Sequence, residues 1–249
     1  MINLPHFYRH RVVIVGAGGT GGILVQNLAH FAFNRDIEIL IVDGDVVEER
    51  NVGRQKFAAE DLGRNKAECM AARYSDVFGL EIGYVPAYVR DAEALVSLVG
   101  PGDENALNVL VLAVDNNFTR KIAHQAFYDE RIKTLVYLDT GNENGRGQTV
   151  LGFKWNGNVF QDPAGKVFPD ILESDDRIQE GGACGREVVR DTQTLLENVW
   201  SATVAFTYLV NLIKDGEIPS HYTFFDVKSA RVRSVENERI KDLVLSHYC

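Results

Sequence analysis

The run Gly16-Ala17-Gly18-Gly19-Thr20-Gly21 constrains this chain more than any other stretch. It follows Arg11-Val12-Val13-Ile14-Val15, a short β-branched segment of the kind that forms a buried parallel strand. After it, Ile23, Leu24, Leu28 and Phe31 share one face of a helix predicted from about Thr20 to Phe33. A glycine turn between strand and helix lets the backbone approach a phosphate, where the helix N-terminus offers free N–H groups. Glu38-Ile39-Leu40-Ile41-Val42 is the next strand and closes a βαβ unit, expected to be right-handed. Asp43 ends it, 22 residues beyond Gly21, where a carboxylate can accept from both ribose hydroxyls. Gly16, Gly18, Gly21 and Asp43 alone would favour NAD.

The alternation continues. Helices are predicted over Asn65 to Phe78, Ala92 to Val99 and about Phe118 to Arg131; strands over Ile82 to Val89, Asn108 to Val114 and Thr134 to Leu138. Such βα alternation means α/β architecture, a Rossmann-like doubly wound, mostly parallel sheet. Beyond Asp139 the pattern changes. Gly141 to Gly147 reads as a turn, and Gln148 to Trp155 as an antiparallel strand. Residues 160–190 lack periodicity and read as one long crossover loop. A helix is expected from Thr192 to Lys214, with Leu195, Val199, Ala202, Phe206, Val210 and Ile213 on one apolar face that would pack within the chain or at a dimer interface. Tyr222 to Val227 and Ala230 to Val235 form a final antiparallel pair, and the tail reads as a short helix.

At 249 residues, one domain over 1–249 suffices. A net charge of −9 argues against a nucleic-acid binder working through bulk positive potential. No apolar run approaches the roughly 20 residues of a membrane span, and the N-terminus is too short and polar for a secretory signal. Cys69, Cys184 and Cys249 make no CxxC pair and no even framework, so a reducing cytoplasm is the simplest setting.

The stretch after Asp43 separates this chain from ordinary NAD folds. It reads Asp43-Gly44-Asp45-Val46-Val47, then Asn51-Val52-Gly53-Arg54-Gln55-Lys56-Phe57, then Gly63-Arg64-Asn65-Lys66-Ala67. Here the chain resembles the ThiF family, which includes MoeB and the activating domains of ubiquitin-like systems. The family pattern is DxDxV…N…RQF…G…K. Within it, NVGRQ followed by GxNKA is most similar to the ThiF-like proteins of PRTRC plasmid gene clusters. A third piece, Asp115-Asn116-Asn117-Phe118-Thr119-Arg120, matches the family's DNxxxR at the end of the central strand.

The resemblance implies a site for Mg2+-ATP. The turn glycines Gly16, Gly18, Gly19 and Gly21 and the acidic pair Asp43 and Asp45 would form its floor. Asn51, Arg54, Gln55 and Lys66 would bind the phosphates. The chemistry suits them, since an arginine clamps phosphate oxygens bidentately and a lysine adds a point charge. Any one such charge would ordinarily be a solvated surface group; several in register reverse that preference. Asp115 would be the Mg2+ ligand and Asn116 a further contact, although either could instead cap the following helix. Arg120 matches the family arginine or anchors that helix.

The implied activity is adenylation of the C-terminal carboxylate of a ubiquitin-like or sulfur-carrier protein ending in glycine. Arg54, Asp115 and Cys184 are its catalytic candidates. Cys184, in Gly181-Gly182-Ala183-Cys184-Gly185, sits in the crossover region where family cysteines form a thioester or take part in sulfur chemistry. An inert thiol is the equal alternative. The resemblance also implies a homodimer. The chain departs from MoeB in lacking two CxxC pairs, so no zinc is expected. Only ten residues precede the first strand, leaving Arg9 and Arg11 as substitutes for an arginine that MoeB-like proteins lend to the partner subunit. Two alternatives stay open: an NAD-dependent oxidoreductase, and a nucleotide-binding interaction module without turnover.

Overall fold

The computed structural model describes residues 1–102, 105–174, 192–236 and 243–244. Strand β1 (Ile2–Asn3) precedes β2 (Arg9–Val15), helix α1 (Gly19–Ala32), β3 (Ile37–Val42), α2 (Lys66–Phe78), β4 (Ile82–Val85), α3 (Ala92–Val99), β5 (Ala106–Leu112) and α4 (Asn117–Tyr128). Then come β6 (Leu135–Glu143), β7 (Arg146–Trp155), β8 (Asn158–Gln161), the single turns α5 (Ala164–Val167) and α6 (Asp170–Glu173), and α7 (Thr192–Val210). β9 (Glu217–Ile218), β10 (Tyr222–Asp226), β11 (Arg231–Val235) and β12 (Leu243–Val244) end the described chain.

The main sheet runs β11-β10-β7-β6-β5-β2-β3-β4, with β8 beside β7. β6, β5, β2, β3 and β4 are mutually parallel, and β7, β10 and β11 are antiparallel additions. Strand order reverses direction at β2 and β5, so a crevice opens beyond Val15 and Leu112, the place where open α/β sheets bind ligands. The β-branched strands alternate their side chains between two cores. Val12, Ile14, Leu24, Met70 and Leu209 pack on the face covered by α1, α2 and α7. Val13, Val15, Leu95, Leu110 and Phe127 pack on the face covered by α3 and α4. β1 joins β9 and β12 in a small separate sheet.

Several sequence expectations are corrected. β4 stops at Val85, because Pro86 has no N–H to offer a ladder. β6 runs on to Glu143, because Asp139 to Glu143 pair with Arg146 to Val150. The turn is therefore only Asn144-Gly145, with φ of 55° and 82°, the left-handed pair that a tight hairpin requires. The described part of the expected crossover loop, residues 160–174, carries the end of β8 and the turns α5 and α6. The tail's described residues, Leu243–Val244, pair with β1 as strand instead of helix.

Helix α7 is the largest correction. It ends at Val210 in a π-helical turn (Asn211–Asp215) closed by Gly216 at φ 67°. Leu195 and Val199 are exposed, while Glu197, Ser201, Ala202, Ala205, Tyr208 and Leu209 are buried. The buried face is chosen by hydrogen bonding. Glu197 accepts from Gly145 N, and Tyr208 Oη shares bonds with Ser220 Oγ at 2.6 Å and Thr223 Oγ1 at 2.8 Å.

At the opposite end of the strands from the crevice, Arg9 pairs with Asp36, and Arg11 with Glu38. His10, 6% exposed, lies beside the Phe7 ring, and burial with help from His6 pushes its pKa down to about 4 against the pull of Asp36. Its folded pKa lies below the unfolded value, so the unfolded chain binds the extra proton between those values and stability falls as pH falls through that window. His10→Gln is expected to remove roughly 2 kcal/mol of the loss between pH 7 and pH 5. Urea melts at both pH values check this; an unchanged difference would refute it.

Candidate nucleotide site

The glycine turn is fixed by its own backbone. Gly16 adopts φ +99°, and a Cβ there would lie 2.5 Å from Ala113 O, at the junction of β2 and β5. A Cβ on Gly21 would overlap Gly16 O. Both must be glycine for the turn to close. Gly18 is different: the nearest atom to its Cβ position is Gln55 Nε2 at 3.8 Å, so its face stays open toward the crevice residues.

Asp43 ties the turn to β3. Its Oδ2 accepts from Ala17 N at 2.6 Å and its Oδ1 from Asp45 N at 2.8 Å. Burial raises its pKa above the ordinary carboxylate value even though both amide bonds favour the anion. Each oxygen keeps a lone pair for a sugar hydroxyl. Asp45 receives Lys66 Nζ at 2.8 Å and the Tyr88 hydroxyl. Burial opposes its ionisation, but those two hydrogen bonds outweigh it and lower the Asp45 pKa. Lys66 is 7% exposed and committed to this pair. Asn65 holds the arrangement. Its Nδ2 donates to Asp43 O at 2.8 Å and Asp45 O at 3.0 Å, while its Oδ1 caps α2 through Glu68 N.

Asn51, 7% exposed, does not reach outward with its oxygen. Its Oδ1 accepts from Glu48 N at 2.9 Å, and its carbonyl accepts from Arg54 N and Gln55 N. It thereby builds the turn that carries both side chains. Arg54 is half-buried, with no ion-pair partner among the described residues. Gln55 Oε1 is buried and has no hydrogen-bond partner among the described residues. A buried amide oxygen left in this way needs a donor, which a water or a sugar hydroxyl can supply.

Asp115 lies three residues past the end of β5 and is exposed. Among the described residues it has no hydrogen-bond or ion-pair partner. Asn116 is the N-cap of α4, its Oδ1 accepting from Thr119 N at 2.9 Å. Arg120 is an internal anchor. Nε donates to Asp139 at 3.0 Å, and Nη2 to Val114 O at 2.8 Å and Thr140 O at 3.1 Å. Burial opposes the charged form of Arg120, and Asp139 overrides that and raises its pKa. Tyr137 Oη donates to the other Asp139 oxygen at 2.7 Å.

The sequence reading missed a polar junction behind the turn. Thr20 Oγ1 donates to Asn198 Oδ1 at 3.0 Å, and Asn142 Nδ2 donates to both Thr20 Oγ1 and Asn198 Oδ1 at 3.2 Å. Tyr88 and Asn65 were missed as well. Only Asn65 carried a local signal, an Asn with Glu68 three residues on, which is a helix-start pattern. Cys69 is buried, as a packed helix residue should be. Cys184 lies outside the described residues. Among the described residues no group of three or more His, Cys, Asp or Glu is arranged to hold a metal. Magnesium bound mainly by phosphates and water needs only one carboxylate, and Asp115 fits that part. Within the same limits, no helix is long and apolar enough to cross a membrane.

The chain is similar to several known proteins. The chain is 39% identical over 144 residues to the SAMP-activating enzyme E1 of Haloferax volcanii, covering 57% of this chain and 49% of that protein. It is 35% identical over 113 residues to the NEDD8-activating enzyme E1 catalytic subunit of Arabidopsis thaliana, covering 45% of this chain and 23% of the relative. The chain thus spans half or less of those relatives. Among solved structures, PaaA superposes with a TM-score of 0.65 at 18% identity, covering 92% of this chain and 64% of PaaA. E. coli MccB with ATP superposes with a TM-score of 0.62 at 17% identity, again covering 92% and 64%. At such identities the two structures speak for the fold. A sequence model of the ThiF family matches residues 5–242, and the chain belongs to that family.

Proposed function

We propose that this protein uses Mg2+-ATP to adenylate the C-terminal carboxylate of a ubiquitin-like or sulfur-carrier protein ending in glycine. The observation that carries the reading is the pair Arg54 and Gln55. A half-buried cation with no counter-ion among the described residues stands next to an amide whose Nε2 lies 3.8 Å from the Cβ position of Gly18. A triphosphate would give the guanidinium its counter-charge and the Gln55 Nε2–H group an acceptor. The relatives support it, being named activating enzymes, and MccB has been solved with ATP and with the MccA peptide.

The substrate carboxylate attacks the α-phosphorus, the bond to pyrophosphate breaks, and an acyl adenylate results. The attacking oxygen is already anionic, so no general base is required, and alignment with charge neutralisation supplies the rate. Asp43 would orient the ribose through its free lone pairs. Arg54 and Gln55 would hold phosphate oxygens, and Lys66 would contribute its charge while paired to Asp45. Asp115 would hold the magnesium, whose charge screens the phosphate oxygens. Asn51 and Asn116 act mainly as turn and cap builders in this account. Homodimerisation belongs to the same proposal, and exposed Leu195, Leu196 and Val199 of α7 supply apolar surface for it.

Pyrophosphate exchange into ATP, dependent on a small β-grasp protein with a C-terminal glycine, tests the activity. Binding of Mg2+-ATP without exchange across a panel of such proteins would favour a module without turnover. NAD outcompeting Mg2+-ATP would favour an oxidoreductase. Cys184 is proposed as the thiol for a following thioester or persulfide step. Cys184→Ala is expected to retain exchange and to lose any thioester mass adduct; an adduct that survives would place that chemistry elsewhere.

A further inference from the structure

Four glycines occupy the turn, but they are glycine for different reasons. Gly16 and Gly21 are required by backbone contacts within the turn and with Ala113. Gly19 is not. The three atoms nearest its Cβ position all belong to the Asn198 side chain, with Cγ at 2.7 Å and Oδ1 at 3.2 Å. Gly19 starts α1 and carries no positive φ, so the space over its Cα, and not its torsion, excludes a side chain. Asn198 fills that space from α7. Its amide oxygen meanwhile takes hydrogen bonds from Thr20 and Asn142, so both flanks of the residue are determined.

Resting on the ATP reading above, we propose that Asn198 is a positioning residue of the nucleotide site, and that Gly19 is glycine in order to receive it. Asn198 wedges against the first residue of α1 and holds the second through Thr20. The first-turn N–H groups, which a helix leaves without internal partners, are thereby aimed at the crevice. Asn142 brings the end of β6 into the same junction, so three segments remote in sequence meet at one helix start. A contact made only for general packing would give a loss of melting temperature without a nucleotide-specific effect. A positioning contact shifts nucleotide affinity and couples energetically to the glycine it rests on.

The test is a double-mutant cycle on the full chain, reading Mg2+-ATP affinity by calorimetry and melting temperature in parallel. Asn198→Ala is expected to weaken Mg2+-ATP about tenfold. Gly19→Ala, whose methyl meets the intact Asn198, is expected to weaken it by about 30-fold or more. The pair Gly19→Ala with Asn198→Ala is expected to return to the Asn198→Ala level, because the methyl then enters vacated space. Asn198→Asp keeps the acceptor oxygen and should hold the melting temperature. Its negative charge beside the phosphate turn should still weaken Mg2+-ATP by about tenfold. Additive losses in the double variant, or affinity unchanged in Asn198→Ala, overturn the proposal while the ATP reading stands. A wild-type protein without Mg2+-ATP affinity sinks both.

Discussion

Arg54→Ala is expected to lower carboxylate-dependent pyrophosphate exchange by about 10²–10³-fold, the usual cost of removing one preorganised donor to a charged transition state. Melting temperature should move by no more than about 2 °C, because a partly exposed side chain with no ion-pair partner among the described residues adds little to stability. Arg54→Lys retains a charge but loses the planar fork, so it should recover only part of the rate. Exchange assays paired with thermal melts decide the matter. Wild-type exchange in Arg54→Ala would remove the arginine from the reaction and with it the observation on which the triphosphate reading rests.

Arg120→Ala should behave in the opposite way. The guanidinium is held by Asp139, Asn117 and the carbonyls of Val114 and Thr140, and its side chain is 12% exposed. Removing it strands Asp139, whose side chain is 5% exposed, with Tyr137 as its one remaining side-chain partner among the described residues. Breaking a buried pair from one side costs about 3–5 kcal/mol. In a chain of this size that corresponds to a melting temperature lower by roughly 10 °C. The loss should appear equally with and without nucleotide, since Arg120 points into the fold and holds the backbone before Asp115. An unchanged urea midpoint would contradict the anchoring role. The pair of experiments separates two arginines that the family pattern presents side by side.

The parallel half of the fold is legible in the sequence because its signals are local. Val12 to Val15 and Val109 to Leu112 are too apolar to be anything but buried strands, and Asn144-Gly145 names its own turn. What the sequence conceals is long-range. Helix α7 offers Leu195 and Val199 as an obvious apolar stripe, yet it buries Glu197 and Ser201 instead. That choice depends on Gly145 N and on the hydroxyls of β10, which no window around α7 contains. The site divides in the same way. Its charged residues are readable from their order along the chain. The partner of Lys66 is not, nor is the reason for Gly19, because Asp45 and Asn198 meet them only after folding.

The Thr20–Asn198 bond joins residues 178 positions apart. A ribosome adding about 5–20 residues per second needs roughly ten to forty seconds to travel from one to the other. For most of that interval the nascent chain contains β2, α1 and β3 but still lacks Asn198. If Asn198 positions the site as proposed, full nucleotide affinity can arise only after residue 198 has left the ribosome.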